Sequence, residues 1–197
     1  MKELLVATKN EGKIGEFRDM FSKYNISVKS LLDLDESIDI EETGTTFEEN
    51  AVIKAQTMME QLNIPVVADD SGLEVDALNG APGVYSARYA GIEKDDNENL
   101  QKLLNNLEGI PESQRDARFV CAVAVARPGA ATIVKRGTCE GSIANEPQGS
   151  HGFGYDPVFI PKGASRTMAE HTSDEKNKIS HRHHAIKQIE EWLKTQA

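Results

Sequence analysis

The longest unbroken apolar stretch in this 197-residue chain is Phe119–Ala126, only eight residues long. A helix crossing a bilayer needs about 20, so no membrane span is expected and the run reads as a strand. It lies within Ala117–Arg127, which pairs with Ala131–Glu140 around a turn at Pro128-Gly129. The front of the chain has a different rhythm. Glu3–Thr8 reads as a buried strand, Glu11–Tyr24 as a helix with Ile14, Phe17 and Phe21 on one face, and Ile26–Leu31 as a second strand. Strand–helix–strand units ahead of antiparallel strands predict a mixed α/β fold.

Thr46 and Glu49 form the hydroxyl-then-glutamate pattern of a capping box, opening a helix that runs to about Leu62. Pro65–Ala68 is a strand ending in Asp69-Asp70-Ser71-Gly72, and Leu73–Leu78 continues it. Asn79–Gly91 reads as a loop, Asn97–Leu107 as a helix, Gly152–Asp156 as a turn before a strand at Pro157–Ile160, and the C-terminus as a helix through Ile186, Ile189 and Leu193. No linker or repeat interrupts this order, so residues 1–197 are read as one domain.

Lysine and arginine total 22 against 32 aspartates and glutamates, a net charge of −10. Proteins that grip duplex nucleic acid usually carry the opposite sign, because phosphate neutralisation dominates that affinity. A nucleic-acid polymer is therefore not the expected partner. A small polyanion remains possible if local cations or a metal ion overcome the field. The opening residues lack the apolar core of a signal peptide. Cys121 and Cys139 read as free thiols of a reducing cytoplasm.

Four segments carry chemistry-bearing side chains. Thr8-Lys9-Asn10-Glu11-Gly12-Lys13 joins a strand to a helix whose free N–H groups suit an anion, although Asn10 as a simple cap explains the same residues. Glu41 and Glu42 lie in an acidic loop, and Asp69-Asp70 at a strand end. Paired carboxylates favour a bridging hard cation such as Mg²⁺, while turn and cap chemistry is the plainer alternative. Gly152-Phe153-Gly154-Tyr155-Asp156-Pro157 sets two aromatics between glycines, ready either to stack a flat ring or to pack inward. Lys176, His181 and Arg182 sit in a charged helical segment with Ser180 as a cap. They offer a phosphate-binding cation and donors for a carbonyl.

Taken in order, Thr8-x-Asn10-x-x-Lys13, Glu41-Glu42-Thr43-Gly44-x-Thr46-Phe47-x-Glu49-Asn50-Ala51, Ala68-Asp69-Asp70-Ser71-Gly72-Leu73, Gly80-x-Pro82-Gly83-Val84-Tyr85-Ser86-Ala87-Arg88-Tyr89, Gly152-Phe153-Gly154-Tyr155-Asp156-Pro157 and Ser180-His181-Arg182 resemble the inosine triphosphate pyrophosphatase family. The likeness runs from Leu4 to Trp192. It implies an elongated α/β fold with a long mixed sheet and flanking helices, two lobes around a central substrate cleft, usually in a cytoplasmic homodimer. It also implies Mg²⁺-dependent hydrolysis of deaminated purine nucleoside triphosphates (ITP, dITP, XTP) to the monophosphate and pyrophosphate, clearing them from the nucleotide pool; Mn²⁺ is a possible substitute.

Residue by residue, the resemblance gives the triphosphate to Thr8, Lys9, Asn10, Glu11, Gly12 and Lys13, the metal to Glu41 and Asp70, and the proton of the attacking water to Asp70. Ser71 would touch substrate. Phe153, Gly154, Tyr155, Asp156, Lys176, His181 and Arg182 would hold the base and sugar end, and Lys54 would add charge near the phosphates. His183-His184 departs from the family's pattern and receives no role.

Overall fold

The computed structural model describes residues 2–34, 38 and 40–195. Part of the acidic loop read at 33–44, residues 35–37 and 39, lies outside them. The mixed α/β expectation holds: six strands form one sheet in the order β2-β1-β3-β4-β5-β6. Strand β1 (Glu3–Val6) is a short run of buried Leu4, Leu5 and Val6. Such runs suit a parallel sheet covered on both faces. It lies parallel to β2 (Ser27–Ser30), with Leu4 beside Val28, and parallel to β3 (Val66–Val75), with Leu5 beside Val66. Strands β4 (Asp116–Ala126) and β5 (Ile133–Ile143) follow, and β6 (Phe159–Pro161) is antiparallel to β5. All seven residues from Val120 to Ala126 are fully buried.

Helix α1 (Glu11–Ser22) buries Ile14, Phe17, Met20 and Phe21, the stripe expected at helical spacing. In α2 (Phe47–Leu62) the Thr46 hydroxyl accepts from Glu49 N, and the Glu49 side chain accepts from Thr46 N, completing the capping box. Helix α3 (Asp96–Asn106) is capped by Asp95. Helices α4 (Ser173–Ile179) and α5 (His181–Lys194) close the chain.

Three elements differ from the sequence reading. Strand β3 runs without a break through Asp69-Asp70-Ser71-Gly72, so the two aspartates lie within a strand rather than at its end. Cationic and amide partners described below allow carboxylates in that buried position. The Ser173–His184 segment is two helices, because Thr172 and Glu175 form a capping box of their own and Ser180 Oγ accepts from His183 N to start the second. The turn after β4 takes more residues than Pro128-Gly129: Ala130 N donates to Arg127 O, and β5 starts at Ile133.

The chain divides into two compact units. The first comprises residues 1–70, 122–136 and 185–197, the second 71–121 and 137–184. The first buries α1, β1 and the inner face of α2, with Phe17, Phe21 and Met58 among its largest side chains. The second centres on Leu73, Leu103, Leu107, Phe119, Ile143, Phe159 and Met168. Buried Arg115 donates there to the carbonyls of Leu107, Ile110 and Ala144. The guanidinium thereby ties the end of α3 and the segment after it to the residue that follows β5.

Candidate active site

In the first unit the chemistry gathers around the middle of β3. Asp69 is buried, and the Lys13 ammonium from the first turn of α1 reaches its Oδ2 at 2.7 Å. Lys13 N donates to Asn10 Oδ1 at 3.1 Å, and Asn10 N donates to Thr8 Oγ1 at 3.1 Å. Asn10 is therefore a cap, and the cap presents Lys13 to Asp69. Thr8 and Lys13 are half-buried, whereas Lys9, Asn10, Glu11 and Gly12 are exposed.

Asp70 takes its contacts from α2. Asn50, fully buried, donates from Nδ2 to Asp70 Oδ2 at 3.0 Å. One turn on, Lys54 Nζ lies 4.0 Å from Asp70 Oδ1 and 2.9 Å from Glu42 Oε1. Residues four apart share a helix face, so α2 meets Asp70 with an amide and an ammonium. Burial pushes the Asp70 carboxyl above its ordinary value; Lys54 and Asn50 pull the other way without cancelling it, and Glu42 and Asp69 add to the rise. Burial also works against the Lys54 ammonium, but there Asp69, Asp70 and Glu42 prevail and hold it above its usual range. The ammonium form of Lys54 is thus favoured, and Asp70 is an ionisable group whose burial favours its protonated form. Glu41 is exposed and makes no hydrogen bond or ion pair among the described residues; Glu42 is the loop acid tied through Lys54 to Asp70.

The second unit assembles a different set. Asp156 is buried, and its Oδ2 accepts from Phe153 N at 3.0 Å and from Lys176 Nζ at 2.5 Å. Gly152 (φ 77°) has to be a glycine, since a Cβ there would meet Asp156 Oδ2 at 2.0 Å. The loop holds Phe153 59% exposed, with the Lys176 ammonium 4.7 Å from its ring centroid. The ammonium that pairs with Asp156 thus also makes a cation–π contact with the exposed ring. Tyr155 goes inward: it is buried, its hydroxyl donates to Ser86 O at 2.7 Å, and burial above all pushes its phenol upward. Of the two aromatics, Phe153 alone is available to stack a ring; Tyr155 and Gly154, whose N–H donates to Asp96, fix the loop. His181 lies against Phe119 with ring centroids 5.1 Å apart, and both His181 and Arg182 are buried at the start of α5. Ser71 is half-buried in β3.

The model of the Ham1 family matches residues 4–192. The chain belongs to the Ham1 family. It is 58% identical to a Halalkalibacterium halodurans protein named dITP/XTP pyrophosphatase, over 98% of this chain and all of that protein. A Bacillus subtilis protein of the same name is 54% identical over 98% of each chain. Among solved structures, the Staphylococcus aureus Ham1 protein covers both chains fully with a TM-score of 0.94 and 44% identity. The motif resemblance and the α/β expectation are both borne out.

Sequence reasoning singled out Asp69, Asp70 and Lys13 but did not pair Lys13 with Asp69, and it gave Lys54 only a diffuse charge. It missed Asn50 as a partner of Asp70. The signal was present in the four-residue spacing of Asn50 and Lys54, but a buried asparagine inside an apolar helix face reads as polar noise until its partner is known. Ser86, Asp96 and Phe119, which brace the second set, were likewise invisible as partners.

The resemblance implies a divalent cation, and the side chains can be tested against one. Among the described residues no three His, Cys, Asp or Glu side chains form a closed metal cage. Mg²⁺ commonly takes only one or two protein carboxylates and completes its shell with water and substrate phosphates. Asp70, a buried carboxylate that supplies hard oxygen donors, fits such an ion.

Proposed function

We propose that the chain hydrolyses deaminated purine nucleoside triphosphates (ITP, dITP and XTP) to the monophosphate and pyrophosphate, and so keeps them out of DNA and RNA. The observation that carries the reading is Asp70, a buried carboxylate set between the Asn50 amide and the Lys54 ammonium. Its support is that relatives identical at 54–58% over nearly the whole chain bear the name dITP/XTP pyrophosphatase. We take residues 1–197 as one such domain, acting in the cytoplasm as a homodimer.

Glu41 and Asp70 would hold Mg²⁺, with Mn²⁺ as a substitute; when bound, the ion supplies positive charge to the triphosphate and polarises a phosphoryl oxygen. The segment from Thr8 to Lys13 binds the phosphates through the Thr8 hydroxyl, the first-turn N–H groups of α1 and the Lys9 and Lys13 ammoniums. Lys13 lies on Asp69 and Lys54 on Glu42, and in this reading both cations turn to a substrate of about four negative charges. Asp70 takes the proton from a water as its oxygen bonds to the α-phosphorus. The bond from that phosphorus to the β-phosphate oxygen breaks, and pyrophosphate leaves. Ser71 contacts the substrate beside this point.

The base lies on Phe153, and the sugar end meets Asp156 and Lys176. His181 and Arg182 donate to the 6-oxo group of hypoxanthine or xanthine. Adenine presents an amino donor there, which would leave a buried donor unpaired; sites of this type discriminate by about 10⁴–10⁵. The test is a product assay with ITP, dITP, XTP, ATP and GTP, with and without Mg²⁺. Pyrophosphate from the deaminated purines is expected, with ATP slow. Phosphate as the only product would place attack at the terminal phosphorus and refute the reading.

A further inference from the structure

Asn50 is the least accessible polar side chain touching Asp70, and both halves of its amide are used. Nδ2 donates to Asp70 Oδ2 at 3.0 Å, while Oδ1 accepts from Gly44 N at 2.8 Å. The Gly44 N–H can only donate, so it forces the amide oxygen toward the loop and the NH₂ toward Asp70. Gly44 makes this approach possible: a Cβ there would come within 2.6 Å of Asn50 Oδ1 and 2.9 Å of Asn50 N. The loop held in this way carries Glu41 and Glu42 three and two residues upstream, and Lys54 on Glu42 is a further tie to α2.

We propose that Asn50 is a positioning residue for the metal site. By holding Asp70 Oδ2 it fixes the carboxylate that would bind the ion, and through Gly44 it ties the 41–44 loop to the same amide. The proposal rests on the reading of Glu41 and Asp70 as metal ligands. Hydrogen-bond partners of ligating carboxylates typically account for about 10–100-fold in metal affinity or activity, and Asn50 serves one ligand directly and the other through the backbone.

The experiment uses the full chain with the substitutions Asn50→Ala, Gly44→Ala and Asp70→Asn. Mn²⁺ binding is measured without nucleotide by the loss of the free-ion EPR signal, alongside the Mg²⁺ dependence of ITP turnover and thermal melting. Asn50→Ala is expected to weaken Mn²⁺ binding by about 10-fold or more, to raise half-saturating Mg²⁺ comparably, and to lower kcat about 10-fold. KM for ITP at saturating Mg²⁺ should move less than about threefold, because the phosphate-binding segment is untouched. Gly44→Ala, which disturbs the amide from the loop side, should weaken Mn²⁺ binding in the same direction, and it decides the matter if Asn50→Ala does not fold. A stable Asn50→Ala or Gly44→Ala protein with Mn²⁺ affinity and kcat within about twofold of wild type, beside an inactive Asp70→Asn, would overturn the positioning role. Full Mn²⁺ binding and turnover by Asp70→Asn would instead sink the ligand reading of Asp70, and the proposal with it.

Discussion

Replacing Lys13 by alanine separates what the Lys13–Asp69 pair does for the fold from what Lys13 does for the substrate. The Asp69 side chain is 2% exposed and that of Lys13 20% exposed, so removing the ammonium leaves a carboxylate that water hardly reaches. Breaking such a pair from one side typically costs about 3–5 kcal/mol. Partial exposure of Lys13 and the field of Lys54 on Asp69 place this case near the lower end, at about 3 kcal/mol. With a urea m-value of about 2 kcal/mol per molar, the midpoint should fall by about 1.5 M. Asp69→Asn should cost less, because the lysine left behind can turn to solvent. In Lys13→Ala/Asp69→Asn the buried charge is gone, and a coupling of at least about 1.5 kcal/mol should return much of the lost stability. Turnover should stay low in both Lys13 variants, since the triphosphate has lost its cation. A midpoint shift under about 0.3 M for Lys13→Ala, or strict additivity in the double variant, would refute the buried-pair reasoning.

Asp70→Asn should reduce kcat below about a tenth of wild type, yet melt no lower than wild type at pH 7. The sign follows from the raised carboxyl: the folded state holds that proton more tightly than the unfolded chain, so stability contributed by Asp70 declines as pH rises above 3.8 and is lost beyond the raised value. Arg182→Ala should weaken use of ITP more than residual use of ATP, and equal losses in kcat/KM would remove Arg182 from base reading. Thr46→Ala should cost about 1 kcal/mol by thermal melting through loss of the α2 cap. Glu49 in that cap is held below its ordinary value by Thr45 N–H first, then by the Thr45 hydroxyl and Thr46 N–H, so its contribution is present at neutral pH and disappears as pH falls through the lowered value. Glu49→Gln should therefore flatten the acid-side fall in Tm.

Much of this architecture was legible in residue order alone. The helix stripes of α1 and α2, the Thr46–Glu49 box and the buried Val120–Ala126 strand are local signals, set by side-chain spacing and backbone hydrogen bonding. The continuity of β3 through Asp69-Asp70 was not legible, because two adjacent carboxylates argue for a strand end until Lys13, Asn50 and Lys54 are seen to meet them. The same holds for the aromatic loop. Phe153 and Tyr155 look equivalent between glycines, and only the Tyr155 hydroxyl on Ser86 O, 69 residues away, turns one inward and leaves the other at the surface. What sequence left hidden is therefore the long-range pairing of polar groups, where the chemistry of the site is decided.

The position of attack is tested most directly by turnover of ITP in H₂¹⁸O, with both products examined by mass spectrometry. Attack on the α-phosphorus, with Asp70 taking the water's proton, places the ¹⁸O label in inosine monophosphate and leaves pyrophosphate unlabelled. Label in pyrophosphate, or in released phosphate, would contradict it.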